Sequence, residues 1–300
     1  MAITRTQIVD ALDANTRAIH QDGLEGWGNE YAGIFNLINS DKQSEKFSYE
    51  SGFDLAPQKN EGVAATYDTI IPGIKKTITP KTYALGYEIT EEAIEDNLKT
   101  PETFNKLPRA LSNSFEQTVE ITAANIFNNG FVTAGFDGKV LFAIDHPDLD
   151  GGSQSNRPSV NADLSVTSLT AGLTAIEKFT DERGLKRPTK AKTLLIPVDL
   201  WNTAEELLGS EYKPYTANNE INAVTKKDLT YKVNHYFTDT NAWFLLADKS
   251  AHALTFVWRI KPGVLKRDTD FDSTNLKHLQ RMRFGVDYWH WMGTYGTAGA

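Results

Sequence analysis

The chain has 300 residues, 40% hydrophobic and 11% aromatic, which supplies one large core or two modest ones and excludes a disordered chain. Its net charge of -8 and pI near 5.3 oppose a grip on nucleic-acid phosphates. Zero cysteines exclude disulfide frameworks, thiolate nucleophiles, zinc ribbons and iron–sulfur clusters, so stability has to come from packing and association.

No run of about 18 apolar residues is present to span a membrane. Met1 to Thr6 carries neither the basic nor the apolar region of a secretory signal, from which synthesis in the cytoplasm is expected. From Thr4 to about His20, Ile8, Ala11, Leu12, Ala18 and Ile19 fall near helical spacing, with Thr4 or Thr6 as cap. Gly23, Gly26 and Gly28 follow, then an apolar cluster of Trp27, Tyr31, Ile34, Phe35, Leu37 and Ile38 with little sequence around it to close a core. Residues 1–46 read as an N-terminal arm that docks elsewhere, with a helical hairpin inside a compact domain as the alternative.

Phe47 to Ile94 is strand-like sequence broken by turn residues, and a two-stranded ribbon is marginal in water without a surface to lie on. Pro57 to Gly62 is one candidate tip, joining Phe47–Leu55 to Val63–Ile71; Pro72-Gly73, which suits a type II turn, is another. With about 12 residues per leg the ribbon reaches roughly 40 Å, beyond one domain's core. Its natural partner is a neighbouring subunit; an ordinary hairpin within an antiparallel sheet is the plainer reading.

A long helix follows, with Thr100 as N-cap, Pro101 at its first position and Glu102 near its positive end. Phe104, Leu107, Leu111, Phe115, Val119, Ala123, Ile126 and Phe127 recur every three or four residues before Gly130, giving a helix of about 40 Å. Pro108 predicts a kink or a later start. Residues 131–165 are rich in Gly, Asp, Asn and Ser and read as loop. A second helix is expected from Thr167 to about Arg183, closed by Gly184, and a third near Pro197 to Leu208. Strands are expected at Lys192–Pro197, Leu229–Phe237, Ala242–Ala247, Ala253–Arg259 and, with strict period two, Leu279–Met292. No repeat of 20 to 50 residues is visible, which argues against a solenoid.

The one catalytic-looking cluster is Asp145, His146, Asp148 and Asp150, with Asp137 upstream, since carboxylate oxygens suit hard divalent ions. Its spacing fails the calcium-loop pattern, and Pro147 beside aspartates is the chemistry of a structural turn. Nucleophile-elbow, zincin and phosphate-loop motifs are missing. The six histidines are scattered, and His290 reads as a hydrogen-bonded core residue. Basic residues gather only at Lys75 and Lys76, at Arg183, Lys186 and Arg187, and at Lys277, Arg281 and Arg283, as solvated faces or inter-subunit ion pairs.

The order of elements resembles the major capsid proteins of tailed phages with the HK97-type fold, and several segments look like the Mu-like major head subunit group. These are Tyr83-Ala84-Leu85-Gly86-Tyr87-Glu88-Ile89-Thr90 leading to Asn97, Phe136-Asp137-Gly138-Lys139-Val140-Leu141-Phe142 followed by His146-Pro147, Leu194-Leu195-Ile196-Pro197 before Leu200 and Ala204, and Ala242-Trp243-Phe244-Leu245-Leu246. The likeness spans about residues 45–292 and is weakest in the N-terminal arm.

The resemblance implies an α+β fold with an N-terminal arm (1–46), an extended E-loop (47–98), a P-domain with a spine helix (99–165 and 255–300) and an A-domain (166–254). It implies a structural, non-enzymatic subunit of hexamers and pentamers in an icosahedral virion shell around double-stranded DNA, held without sequence-specific binding and assembled in the host cytoplasm. A separate scaffolding protein and a portal are the expected partners, with no cofactor, metal or membrane. Tyr67, Ile71, Ile74, Lys75, Lys76, Ile78 and Lys81 are the candidate inter-subunit contacts. Some relatives crosslink a lysine to an asparagine; Lys75, Lys76 and Lys81 supply amines on the ribbon, but no matching asparagine or carboxylate is identified, so a crosslink is not predicted. An encapsulin-like compartment shell and a metal-dependent hydrolase built on Asp145 and His146 are the alternatives.

Overall fold

In the computed structural model, residues 16–26, 28–96, 101–149, 151–210, 212 and 221–300 are described. The expected positions at Thr4, Thr6, Ile8, Ala11, Leu12, Trp27, Asn97, Thr100 and Asp150 lie outside them. In chain order the elements are helix α1, described over residues 16–25, then β1 (Asn36–Asn39), β2 (Glu45–Glu50), β3 (Pro72–Ile78), β4 (Lys81–Ile89), α2 (Glu91–Asp96) and α3 (Pro101–Asn128). There follow β5 (His146–Pro147), β6 (Ser153–Gln154), α4 (Val166–Glu177), β7 (Ala191–Pro197), α5 (Trp201–Gly209), β8 (Thr230–Asn234), β9 (Trp243–Ala247), β10 (Leu254–Ile260), β11 (Lys266–Thr269), β12 (Leu276–Tyr288) and β13 (Thr294–Thr297).

Two sheets share one core. β12 pairs antiparallel with β4 over Leu276–Phe284 and, successively, with β11 and β10, while β1 adds to β10 in parallel. The second sheet runs β13-β9-β7-β8, with β7 and β8 parallel. All five residues of β9 are buried, as their unbroken apolar run requires.

The spine helix obeys its spacing. Leu111, Phe115, Val119, Ala123 and Phe127 recur every fourth residue and none is more than 5% exposed. Burying each of the four larger side chains stabilises by about 1.5–3 kcal/mol, and Ala123 contributes less. Phe127 lies 5.1 Å from Phe244, which lies 5.0 Å from Phe142, so aromatic rings join helix, loop and second sheet. α3 runs through Pro108 without ending. The Pro108 carbonyl accepts from the Ser112 hydroxyl at 3.0 Å, and buried His20 of α1 packs over it with Nε2 2.9 Å from Gln280 Oε1.

Three expectations are corrected. Tyr31, Ile34 and Phe35 are buried in the chain's own core and β1 is a strand of the first sheet, so residues 31–39 belong to the body rather than to an arm docking elsewhere. The second helix stops at Glu177, because Thr180 bridges Lys186 in a small hairpin that Gly184 turns; Phe179 remains buried, which kept the helical spacing alive past the true end. The last long strand ends at Tyr288 rather than Met292. Gly293, at φ 79, reverses the chain where a Cβ would lie 2.5 Å from the Ala251 carbonyl, and β13 then joins the second sheet. The segment 255–300 therefore supplies both sheets.

Candidate assembly surface: the extended loop and its seat

β2 and β3 pair antiparallel from Glu45 opposite Ile78 to Glu50 opposite Pro72. Pro72-Gly73 is thus the start of a strand and not the tip. Gly73 is required there, since a Cβ would lie 1.8 Å from the Tyr49 carbonyl oxygen. The tip is the other candidate, where the Val63 amide donates to the Asn60 carbonyl at 3.3 Å. β4 belongs to the first sheet, so the free-standing part is shorter than the sequence suggests.

Every residue from 52 to 70 is exposed. Among them Tyr67 is 93% exposed and Leu55 74%, with Phe53, Val63 and Ile70 also open to solvent. An irregular loop of this length is usually functional, and apolar side chains gathered on it mark a surface that another surface covers.

The loop's base is seated on its own chain. Phe47 stacks on Trp289 with rings 6.0 Å apart and nearly parallel, and Tyr49 packs on His290 at 4.2 Å. Lys76 pairs with Asp287 at 2.9 Å. Ser51 and Ile71 close the mouth of the loop: the Ser51 amide donates to the Ile71 carbonyl at 3.1 Å, and Ser51 Oγ accepts the Ile71 amide at 2.9 Å. From the hairpin after α4, Arg183 Nη1 donates to Asp68 at 2.7 Å and Nη2 to the Thr69 carbonyl. Asp68 also accepts the Asp54 and Thr69 amides, each at 2.8 Å, so it ties the two legs together; these bonds, with Arg183, hold its carboxyl below the usual range.

The expected contact residues divide on this geometry. Tyr67, Ile74, Lys75 and Lys81 are exposed and Ile71 is half-buried. Lys76 is already paired within its own chain, and Ile78, only 2% exposed, is a core residue rather than a surface one. Phe53, Leu55, Val63 and Ile70, exposed on the same loop, were not among the expected residues, and Arg183 was read only as part of a basic cluster. Their alternation with polar residues looks the same in sequence whether a strand faces its own sheet or solvent.

The catalytic-looking cluster is a structural knot. His146 is fully buried, with Nδ1 2.6 Å from Asp137 Oδ2 and Nε2 3.1 Å from Asn156 Oδ1, and its ring stacks on Trp291 at 4.6 Å. Asn156 is fixed in turn, accepting the Ala143 amide at 2.9 Å and donating to the Leu141 carbonyl at 2.8 Å. Burial opposes ionisation of Asp137, but the bonds from His146 and the Lys139 amide outweigh it and hold the carboxyl below its usual range. Asp145 pairs with Lys139 on the surface and Asp148 accepts from Gln154 at 2.8 Å. Among the described residues no three His, Asp or Glu side chains come together as a metal site. The neighbouring cavity, of about 20 Å³, has the room of a single water. His290 is the hydrogen-bonded core residue expected: Nδ1 accepts the Met292 amide at 2.9 Å, which leaves the ring proton on Nε2 to donate to Glu182 at 3.1 Å, and burial pushes its pKa down.

A two-sheet body, a spine helix and a long loop seated at its base but open along its length define a subunit of a larger assembly. The chain belongs to the family described as phage capsid protein, whose model matches residues 74–296, well over half of it. It is a structural shell subunit of the virion, with the HK97-type capsid fold. The procapsid of bacteriophage JBD30 is similar at 16% identity and TM-score 0.53, over 98% of this chain and 76% of that one. Microbacterium phage Oxtober96 is similar at 11% identity and TM-score 0.57, over 91% and 92%. A virus-like particle from Pyrococcus furiosus is similar at 12% identity and TM-score 0.52, over 95% and 98%. No curated protein matches the chain significantly. The comparisons do not single out the Mu-like group. Among the described residues no helix is long and apolar enough to cross a membrane.

Proposed function

We propose that the subunit assembles into hexamers and pentamers of an icosahedral shell, in which the loop of residues 52–70 lies across the neighbouring subunit. The observation that carries this reading is the run of exposed residues 52–70, whose five large apolar side chains are left uncovered among the described residues. Burying each such side chain against a neighbour contributes about 1.5–3 kcal/mol, which a shell multiplies over its copies. The first sheet with α3 acts as the P-domain, the second sheet with α4 and α5 as the A-domain, and the β2–β3 ribbon with its loop as the E-loop. Tyr67, Ile71, Ile74, Lys75 and Lys81 are the contacts retained from the sequence, joined by Phe53, Leu55, Val63 and Ile70.

The shell encloses double-stranded DNA without reading its sequence, is built with a separate scaffold and portal, and performs no catalysis. An acidic chain supports this role, because a strongly cationic lining would hold DNA against the motor that packs it. Electron microscopy of the expressed chain, alone and with a scaffold, tests the reading. Closed shells from the full chain, and folded subunits without shells when residues 53–69 are replaced by a short turn, are the expected results; a strictly monomeric full chain, or normal shells from the shortened one, contradicts it.

A further inference from the structure

Two contiguous clefts occupy one edge of the second sheet. The first, about 400 Å³, lies between the starts of β7 and β8 and the end of β9, and Lys192, Lys232 and Lys249 line it. The second, about 340 Å³, lies between α4 and the short turn Ala223–Lys227, and Lys190, Lys226 and Lys227 line it beside Lys192. The two meet at Lys192 and Asp228. Six lysines thus converge on one edge of a chain whose net charge is -8.

Three carboxylates, Glu177, Asp228 and Asp248, stand among the six lysines and leave about half of that charge uncompensated. Glu177 takes Lys227 at 2.9 Å, and Asp248 is occupied by its own turn, accepting the Ser250 amide at 3.0 Å and hydroxyl at 2.8 Å. Lys232 is half-buried and donates to the Gly33 carbonyl at 2.8 Å, while Lys249 donates to the Ala32 carbonyl at 2.5 Å. Each of these bonds uses one of an ammonium's three N–H groups, so both lysines keep donors for a ligand. Burial, with Lys249 close by, pushes the Lys232 ammonium below its usual range, a strain that an anion in the cleft relieves. Between the clefts Asp228 adopts the left-handed conformation, φ 51 and ψ 40, which turns the chain from Lys227 into β8; outliers of this kind persist where the surroundings enforce them.

We propose that this edge binds an extended acidic peptide segment of a partner protein. A nucleic acid fits it less well. No phenyl, phenol or indole ring lines either cleft to stack on a base, the one imidazole, His252, is buried at 5% exposure, and Asp228 and Asp248 interrupt the lysines where a continuous row of phosphates would meet them. A peptide spaces its carboxylates along the chain and presents side chains between them, for which Leu173, Ala191, Leu246 and Ile34 supply an apolar floor. The proposal depends on this edge alone and not on the contacts that close a shell.

The test is fluorescence anisotropy with the full chain, using a labelled oligo-glutamate peptide and a labelled oligothymidylate of matched charge. The peptide is expected to bind, and its affinity to fall about tenfold or more in the Lys192→Glu, Lys226→Glu double variant and as salt is raised toward ~0.3 M. Lys106→Glu, on exposed α3 surface, leaves binding unchanged. Circular dichroism checks folding, and if the double variant fails to fold, Lys192→Gln with Lys226→Gln takes its place with the same expected loss. No binding of the peptide by the full chain, or equal binding by the double variant, overturns the proposal. Oligothymidylate binding more tightly than the peptide through the same lysines overturns it in favour of a phosphate site.

Discussion

Arg183 and Asp68, separated by 115 positions in sequence, meet at 2.7 Å and fasten the extended loop to the body of its own subunit. The bond sits where the loop leaves its seat, so it governs the loop's direction more than the stability of the fold. Arg183→Ala is expected to leave the thermal midpoint almost unchanged while residues 52–70 become faster to cleave in limited proteolysis and shells become fewer or irregular. Unchanged cleavage together with normal shells would show that the clamp does not direct the loop.

Two carboxylates under the N-terminal segment give the subunit a pH dependence of known sign. Glu116 and Glu120, one turn apart on α3, are both buried, and burial pushes each to about 7. Raised folded-state values mean that the folded chain binds more protons than the unfolded one between about pH 4.5 and 7, so this contribution weakens as pH rises through that window. Glu116 accepts no hydrogen bond among the described residues, and Glu116→Gln is therefore expected to stabilise the subunit by about 1–3 kcal/mol at pH 8 and by little near pH 4.5. Glu120 accepts the Glu30 and Tyr31 amides at 2.8 and 3.1 Å, and its amide variant would turn a donor against one of them. Glu120→Gln is expected to destabilise at low pH, where Glu116→Gln is neutral. Denaturant unfolding at pH 5 and pH 8 separates the two.

His146 distinguishes the structural knot from a catalytic centre. Removing its ring leaves Asp137 buried without its main partner and opens a space against Trp291, so His146→Ala is expected to cost about 3–5 kcal/mol. Asp145→Ala, which removes only a surface pair with Lys139, is expected to stay within about 1 kcal/mol. A His146→Ala subunit as stable as the parent would reopen the functional reading of the cluster.

Much of this fold was legible in sequence where one period held over many residues with one side covered. The spine helix is of that kind, while β7, β9 and β10 were legible as short, mostly apolar runs. The errors fall where a local pattern outlived its element: Phe179 keeps helical spacing after α4 has ended, and Trp291 keeps strand alternation after β12 has turned away. The seat of the loop was not legible, because Arg183, Asp68, Asp287 and Trp289 are far apart in sequence and only the register of the two sheets brings them under β2 and β3. Ile78 shows the same limit from the other side. It alternates like its neighbours on the ribbon, yet it is the one whose place on β3 turns it into the core.

Crosslinking from position 67 reads directly whether the loop of residues 52–70 rests on a neighbouring subunit, as proposed. Because the chain has no cysteine, Tyr67→Cys carries a single thiol, and a photoactivated maleimide crosslinker attached there in assembled shells reports what Tyr67 touches. Crosslinked dimers and higher species are expected on a denaturing gel, with the peptide joined to position 67 coming from a second copy, and no such species from unassembled subunits. Crosslinks confined to the same chain within intact shells would contradict that contact.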